Sequence, residues 1–278
     1  YVRSNSYQSG ILSKSGFSFN PLNFLIGLKN EINFKRPRAI FEKSKMESFF
    51  EYDHSIRVNL ENGVSIITKK LIFATGGYGG SETGFLRTRW LPLTTSISVT
   101  PPLKKEVTAI INPQFAFSDD RRAGNYFRLI DNNRLLWGRG FSAFGAPNRK
   151  MIKKLAQLDI QKFFPNLWDI TTDEELDFEF IWSGKMSYSK SMMPYVGKLT
   201  ANTYALTGFG GHGMNTAPGA AIVLAEHLLG LSDRISTFKK IPLTWNGNKF
   251  GSIGAELLYI FMAAKDSANQ RLLSIKKC

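Results

Sequence analysis

One segment constrains this chain more than any other: Thr207-Gly208-Phe209-Gly210-Gly211-His212-Gly213-Met214-Asn215-Thr216-Ala217-Pro218-Gly219. A short β-like run, Thr203 to Thr207, enters it, and a helical pattern, Ala217 to Leu229, leaves it. Glycine accepts backbone angles other residues avoid and lets a ligand approach with no Cβ in the way. The helix that follows aims unpaired N–H groups and the positive end of its dipole at whatever sits there. Thr216 reads as its cap and Gly230 as its stop. Pro218, read in the first turn, lacks a donor that turn does not need. A tight turn needs one or two glycines. Gly208, Gly210, Gly211 and Gly213, with His212 among them, point to a site for an anion or a polarised carbonyl.

A second turn is less specific. Leu71-Ile72-Phe73-Ala74 is a wholly apolar run ending in Thr75-Gly76-Gly77. Such a run fits a strand buried on both faces of a parallel or central sheet. Around these turns the chain reads as mixed. A helix is predicted over Pro21–Ile32, with Leu22, Leu25, Ile26 and Leu28 on one face. Short β-like runs follow at 38–41, 47–52, 56–60 and 64–68, the last two joined by Glu61-Asn62-Gly63. Runs at 94–99, 115–117, 125–130, 134–137 and 178–182, with Asp131-Asn132-Asn133 as a hairpin turn, suggest an antiparallel sheet. Helices are expected over 149–163 and 253–273. The fold class is therefore α/β with an antiparallel β insertion, α+β overall. The predicted division is 1–85, 86–188, 189–240, and a C-terminal helical segment, 241–278.

Composition excludes several classes. Hydrophobic residues make up 43% of the 278, too many for a disordered chain. The only cysteine is Cys278, so neither a disulfide framework nor a thiolate metal cluster is possible. The three histidines show no ligand spacing, and no metal is expected. No run approaches the length of a membrane span; the longest, Ile253 to Ala264, is broken by Glu256. No signal peptide is visible, and a reducing, cytoplasmic setting is expected. The net charge is +14, but the basic residues are dispersed and no nucleic-acid motif gathers them. That charge favours anionic ligands.

Ala74-Thr75-Gly76 after an apolar strand, with Gly208-Phe209-Gly210-Gly211-His212-Gly213-Met214-Asn215-Thr216 far downstream, resembles the D-amino-acid-oxidase-like family of FAD-dependent oxidoreductases. Intervening blocks occur in family order: Ser118-Asp119-Asp120-Arg121, Asn125 to Leu129, Arg134 to Gly138, Phe164 to Leu167, Trp182-Ser183-Gly184 and Met193 to Gly197. The combination is most similar to the gamma-glutamylputrescine oxidase-like branch. The resemblance implies a partial FAD-binding domain with an antiparallel substrate-domain sheet.

It also implies the chemistry: oxidation of a C–N bond of an amine or amino acid by hydride transfer to flavin N5. Gly208, Gly210, Gly211, His212, Gly213, Met214, Asn215 and Thr216 would meet the pyrimidine edge of the flavin. His212 would add a donor or remain a turn residue bonded to backbone. Thr75, Gly76 and Gly77 would lie near the pyrophosphate or ribose, Met46 near the adenine, and Pro194 to Gly197 near the ring. Tyr126, Arg128 and Trp182 would wall the substrate. Arg128 would grip a carboxylate or serve structurally, and Trp182 would cover an aliphatic chain or belong to the core.

Two departures from the family stand out. The βαβ unit whose Gly-x-Gly-x-x-Gly turn opens the family does not occur before Gly76, so the chain reads as part of a longer enzyme. Ser191, Met192 and Met193 occupy the region where some relatives attach flavin through Cys, so FAD would be non-covalent or held otherwise. Two alternatives remain: a non-catalytic remnant acting as a binding module, and a polyol-phosphate dehydrogenase of the same fold. The oligomeric state is not legible.

Overall fold

The structure, a computed structural model, describes residues 1–275 except 5, 8, 122–123 and 172–175, with the backbone alone for 270–275. Cys278 lies outside the described residues. In chain order the first elements are α1 (Pro21–Lys35), β1 (Met46–Glu51), β2 (Ile56–Leu60), β3 (Ser65–Thr68), β4 (Leu71–Phe73) and β5 (Trp90–Val99). Then come β6 (Ala116–Ser118), β7 (Tyr126–Ile130), β8 (Arg134–Ser142), α2 (Arg149–Phe163), α3 (Pro165–Ile170) and β9 (Phe180–Ser189). The last are β10 (Tyr195–Lys198), β11 (Thr203–Thr207), α4 (Gly213–Leu228) and α5 (Asn248–Ile275).

Two compact units form. One comprises Phe19–Pro92 and Lys185–Asn248; the other comprises Tyr1–Ser18, Leu93–Gly184 and Lys249–Cys278. Where the sequence suggested breaks near 85 and 188, the chain divides after Pro92 and Gly184, and both termini belong with the second unit.

In the first unit β11 runs parallel to β4, with Thr203, Tyr204 and Ala205 opposite Leu71, Ile72 and Phe73, and antiparallel to β10. Val196, Tyr204, Ala220, Leu224 and Ile235 form a core between the strands and α4. The β1-β2-β3 meander is antiparallel, and its alternation buries Ile56, Val58 and Leu60. Strand β4 departs from expectation: it lies at the end of its sheet order, and Ile72 is 42% exposed while Phe73 is buried. Arg38 to Phe41 forms no strand; Pro37 opens a turn and Arg38 takes a left-handed φ of 64°. Helix α1 starts where Asn20 Oδ1 accepts from the N–H groups of Leu22 and Asn23, at 3.0 and 3.1 Å. Its apolar residues, expected to pack as one face, are all exposed.

The second unit is built on a five-stranded sheet in the order β6-β7-β8-β5-β9. Asn132 and Asn133 turn the β7–β8 hairpin with φ near +58° and +57°, which asparagine tolerates better than most residues. Alternation sends Phe127, Leu129, Leu135 and Trp137 to one face, where they pack with Ala156, Ile160 and Phe163 of α2 and with Phe164 and Leu167. Each such side chain, fully buried, contributes about 2–3 kcal/mol. The opposite face carries Tyr126, Arg128 and Ile130, which are only half-buried.

Candidate functional site

The glycine-rich segment follows β11, as the sequence predicted, but its helix begins earlier. Helix α4 starts at Gly213 with His212 as its cap, so Thr216 is not the cap; its hydroxyl bonds back to His212 O at 2.8 Å. Pro218 therefore lies inside the helix rather than in its first turn, and removes one rung of the ladder. Three glycines here need their freedom: Gly208, Gly210 and Gly211 have φ of +77°, +56° and +84°.

The loop is pinned by a segment that sequence reasoning passed over. Ser187 on β9 receives Gly208 N–H on its Oγ at 3.0 Å and Gly210 N–H on its carbonyl at 2.9 Å. Tyr188 pairs with Phe209 as an isolated bridge. Ser189 Oγ donates to Met193 O at 2.7 Å, which fixes the residue before Pro194. The other glycine turn touches this same strand. A Cβ on Gly77 would lie 3.1 Å from Lys185 Cβ and from the Met186 carbonyl, and Lys185 N–H donates to the Tyr78 hydroxyl at 3.0 Å. The five residues Lys185–Ser189 thus gather Thr75-Gly76-Gly77, Pro194 and Gly208–Met214, which are spread over about half the sequence. The signal was present as an alternation: large Met186 and Tyr188 against small Ser187 and Ser189.

At the tip, the His212 amide is used internally, donating to Phe209 O at 3.0 Å, and the His212 ring Nδ1 lies 3.2 Å from Gly210 O. His212 is thus bound to its own loop. Among the described residues, the N–H groups of Gly211, Gly213 and Met214 meet no protein acceptor. These amides sit at the positive end of a 16-residue helix, with Gly211, His212 and Met214 exposed. Thr207 Oγ1, immediately before the loop, is buried and meets no partner among the described residues. Asn215 and Thr216 donate their amides to His212 O, at 3.3 and 3.2 Å. Gly197 is buried within β10, paired with Ala205. Met46, at the start of β1, packs beside Phe49 and Leu71 against the cluster around Phe73, at the base of the strand that leads to Thr75.

The three wall candidates belong to the second unit and share one face of its sheet. Tyr126 and Arg128 lie opposite the α2 side. Ile181 packs on the α2 side and Ser183 Oγ reaches Ser96 Oγ at 2.9 Å, so Trp182, between them, points to the open face, where it is 46% exposed. Burial pushes the Tyr126 hydroxyl above the ordinary phenol range. Arg128 lines a surface hollow of about 320 Å³ with Gln114, Phe115 and Asp131, and among the described residues no carboxylate pairs with it.

Comparison with known proteins decides the family. The chain matches the FAD dependent oxidoreductase family over residues 2–227. It belongs to that family. It is 27% identical over 244 residues to the gamma-glutamylputrescine oxidoreductase of Escherichia coli, covering 87% of this chain and 55% of that protein. The probable oxidoreductase OrdL of Haemophilus influenzae is 25% identical over 254 residues, covering 89% of this chain and 56% of that one. The chain thus spans about half the length of the curated relatives it matches. Glycine oxidase from Geobacillus kaustophilus shares the fold with a TM-score of 0.56 at 14% identity, covering 74% of this chain and 52% of that one. Iminodiacetate oxidase from Chelativorans gives 0.54 at 16%, covering 72% and 51%. No described helix is long and apolar enough to cross a membrane.

Proposed function

We propose that this chain supplies the flavin-facing loop and the substrate-facing sheet of an enzyme that oxidises the C–N bond of an amine or amino acid. The observation that carries this is the set of unpaired amides on Gly211, Gly213 and Met214, held by β9 beside the Thr75-Gly76-Gly77 turn. FAD, when bound, would accept a hydride from the carbon beside the substrate nitrogen. The ring's pyrimidine carbonyl edge would then carry negative charge. The three amides would stabilise that charge, each by about 3 kcal/mol on the scale of comparable oxyanion donors. They are fixed before reaction, so no reorganisation is needed when the charge develops. Thr75, Gly76 and Gly77 would give the phosphate or ribose clearance, Pro194 and Gly197 would border the ring, and Met46 would meet the adenine. Because the sequence has a single cysteine, Cys278, remote from these loops along the chain, the cofactor would be held non-covalently or through a residue other than cysteine.

Arg128 would hold a substrate carboxylate through a two-point pair, and Trp182 would cover the aliphatic part. No general base is required of the chain: a neutral amine aligned with the acceptor suffices, and water hydrolyses the resulting imine in solution. The relatives' names, with amines and amino acids as their substrates, support a C–N rather than a C–O bond. The test is anaerobic mixing of the FAD-loaded protein with a panel of amines, amino acids and polyol phosphates while absorbance near the flavin band is followed. Bleaching by an amine or amino acid supports the reading. Bleaching only by a polyol phosphate, or by no member of the panel once FAD is bound, contradicts it.

A further inference from the structure

Lys185 opens the strand segment that gathers the glycine turns, and its side chain lies against one of them. A Cβ on Gly77 would come within 3.1 Å of Lys185 Cβ, so glycine at 77 lets the lysine stem pass close to the turn. The Lys185 amide donates to the Tyr78 hydroxyl at 3.0 Å. Its ammonium sits over the Tyr78 ring, 5.8 Å from the centroid, within the range of cation–π attraction. Backbone, stem and charged head are thus all held beside Thr75-Gly76-Gly77.

The charge so placed has no counter-charge. Among the described residues no carboxylate pairs with Lys185. The turn beside it is open: Thr75 and Tyr78 are exposed, and nothing lies within 4 Å of where a Cβ on Gly76 would stand. Among the described residues the N–H groups of Gly76 and Gly77 meet no protein acceptor. Amides without acceptors and a cation without an anion complement a phosphate, whose oxygens take hydrogen bonds and whose charge takes an ammonium. Resting on the ring, the ammonium has already given up part of the freedom that a ligand would otherwise cost it.

We propose that Lys185 pairs with the pyrophosphate of FAD at the Gly76-Gly77 turn. This rests on the reading above that the turn borders the cofactor's phosphates, and it adds a charged side chain to what were backbone roles alone. The flavin ring itself does not use this lysine. Lys185 therefore separates FAD from riboflavin, which carries the same ring and no phosphate.

The test measures the affinity of the protein for FAD and for riboflavin by fluorescence titration. Lys185→Met should weaken FAD by about tenfold, the loss expected of one hydrogen bond to a charged group, and leave riboflavin unchanged. Lys185→Arg should keep most of the preference for FAD. Lys69→Met makes the same charge change at an exposed position just before β4, at the far end of that strand from the turn, and should change neither affinity. Added salt should narrow the preference in the parent protein more than in Lys185→Met. Circular dichroism of each variant should match the parent. If both flavins bind and Lys185→Met weakens neither, weakens both alike, or matches Lys69→Met, the inference is wrong and the functional reading stands. If riboflavin binds and FAD binds no tighter, the result is the same. If neither flavin binds, the inference falls together with the assignment of the ring to the amides of Gly211, Gly213 and Met214.

Discussion

Gly210→Ala probes the clamp between β9 and the glycine loop. Two costs add. Gly210 has φ +56°, where a β-carbon costs about 1–2 kcal/mol. The added methyl would also lie 2.9 Å from Tyr188 Cε1 and 3.2 Å from Cδ1. The Tyr188 backbone is fixed by its bridge to Phe209, so relief must come from the ring alone, and overpacking of this kind costs about 1–3 kcal/mol. The sum is about 2–5 kcal/mol. Gly76→Ala is the matched control: its φ is +57°, yet nothing lies within 4 Å of the new methyl, so only the backbone cost of about 1–2 kcal/mol applies. Gly211→Ala falls between, because its neighbour is the movable Met186 Sδ at 2.9 Å. Urea unfolding of the three variants, monitored by circular dichroism, should rank them Gly210, Gly211, Gly76 in order of destabilisation. Equal losses for Gly210→Ala and Gly76→Ala would refute the argument that β9 grips the loop.

Other expectations concern the supports of the two units. Ser187→Ala leaves the buried Gly208 N–H without an acceptor and should cost about 1–3 kcal/mol in urea unfolding, with weaker FAD binding by fluorescence titration. Asp119, 4% exposed, accepts from Arg121 Nε at 3.1 Å and from the Asn125 amide at 3.1 Å; Asp119→Asn should lower stability by about 3–5 kcal/mol in thermal unfolding, because Arg121 loses its partner. Glu51 binds Thr200, the Asn202 amide at 2.7 Å and Thr203 at 3.2 Å, and the Thr200 hydroxyl foremost holds its carboxyl below the usual range. Its stabilisation is present above the unfolded carboxylate pKa and is lost as pH falls through the lower folded value. Glu51→Gln should therefore flatten the stability curve between roughly pH 5 and 3, by no more than about 1 kcal/mol given its solvent screening.

The parts of this fold that the sequence announced were those whose local pattern and burial agree. Helix α2 spans Arg149–Phe163 as its amphipathic period demands, and Thr203–Thr207 is a strand because both flanking turns are marked by polar or glycine residues. The mixed fold class and the antiparallel sheet were legible for the same reason. What stayed hidden depended on tertiary partners. Lys185–Ser189 alternates large and small side chains as a strand does, but it lacks a hydrophobic stripe, and nothing local shows that it holds two distant glycine turns. Helix α4 starts four residues before the expected Ala217 because Gly213, Asn215 and Thr216 are weak helix formers and Pro218 suits a first turn, so the local pattern places the start too late. The strand expected over 134–137 runs on through Gly138 to Ser142 because β5 pairs with it along that length, a partner no local pattern announces. The apolar stripe of α1 predicted burial that the structure does not show.

The central claim is that the amides of Gly211, Gly213 and Met214 receive the flavin ring. Titrating ¹⁵N-labelled protein with riboflavin, which carries the ring without the phosphates or adenine, tests it directly. The amide resonances of these three residues should shift most and saturate together, while that of His212, already bonded to Phe209, moves less. Shifts confined to other parts of the chain, with these three unmoved at saturating riboflavin, would contradict the account.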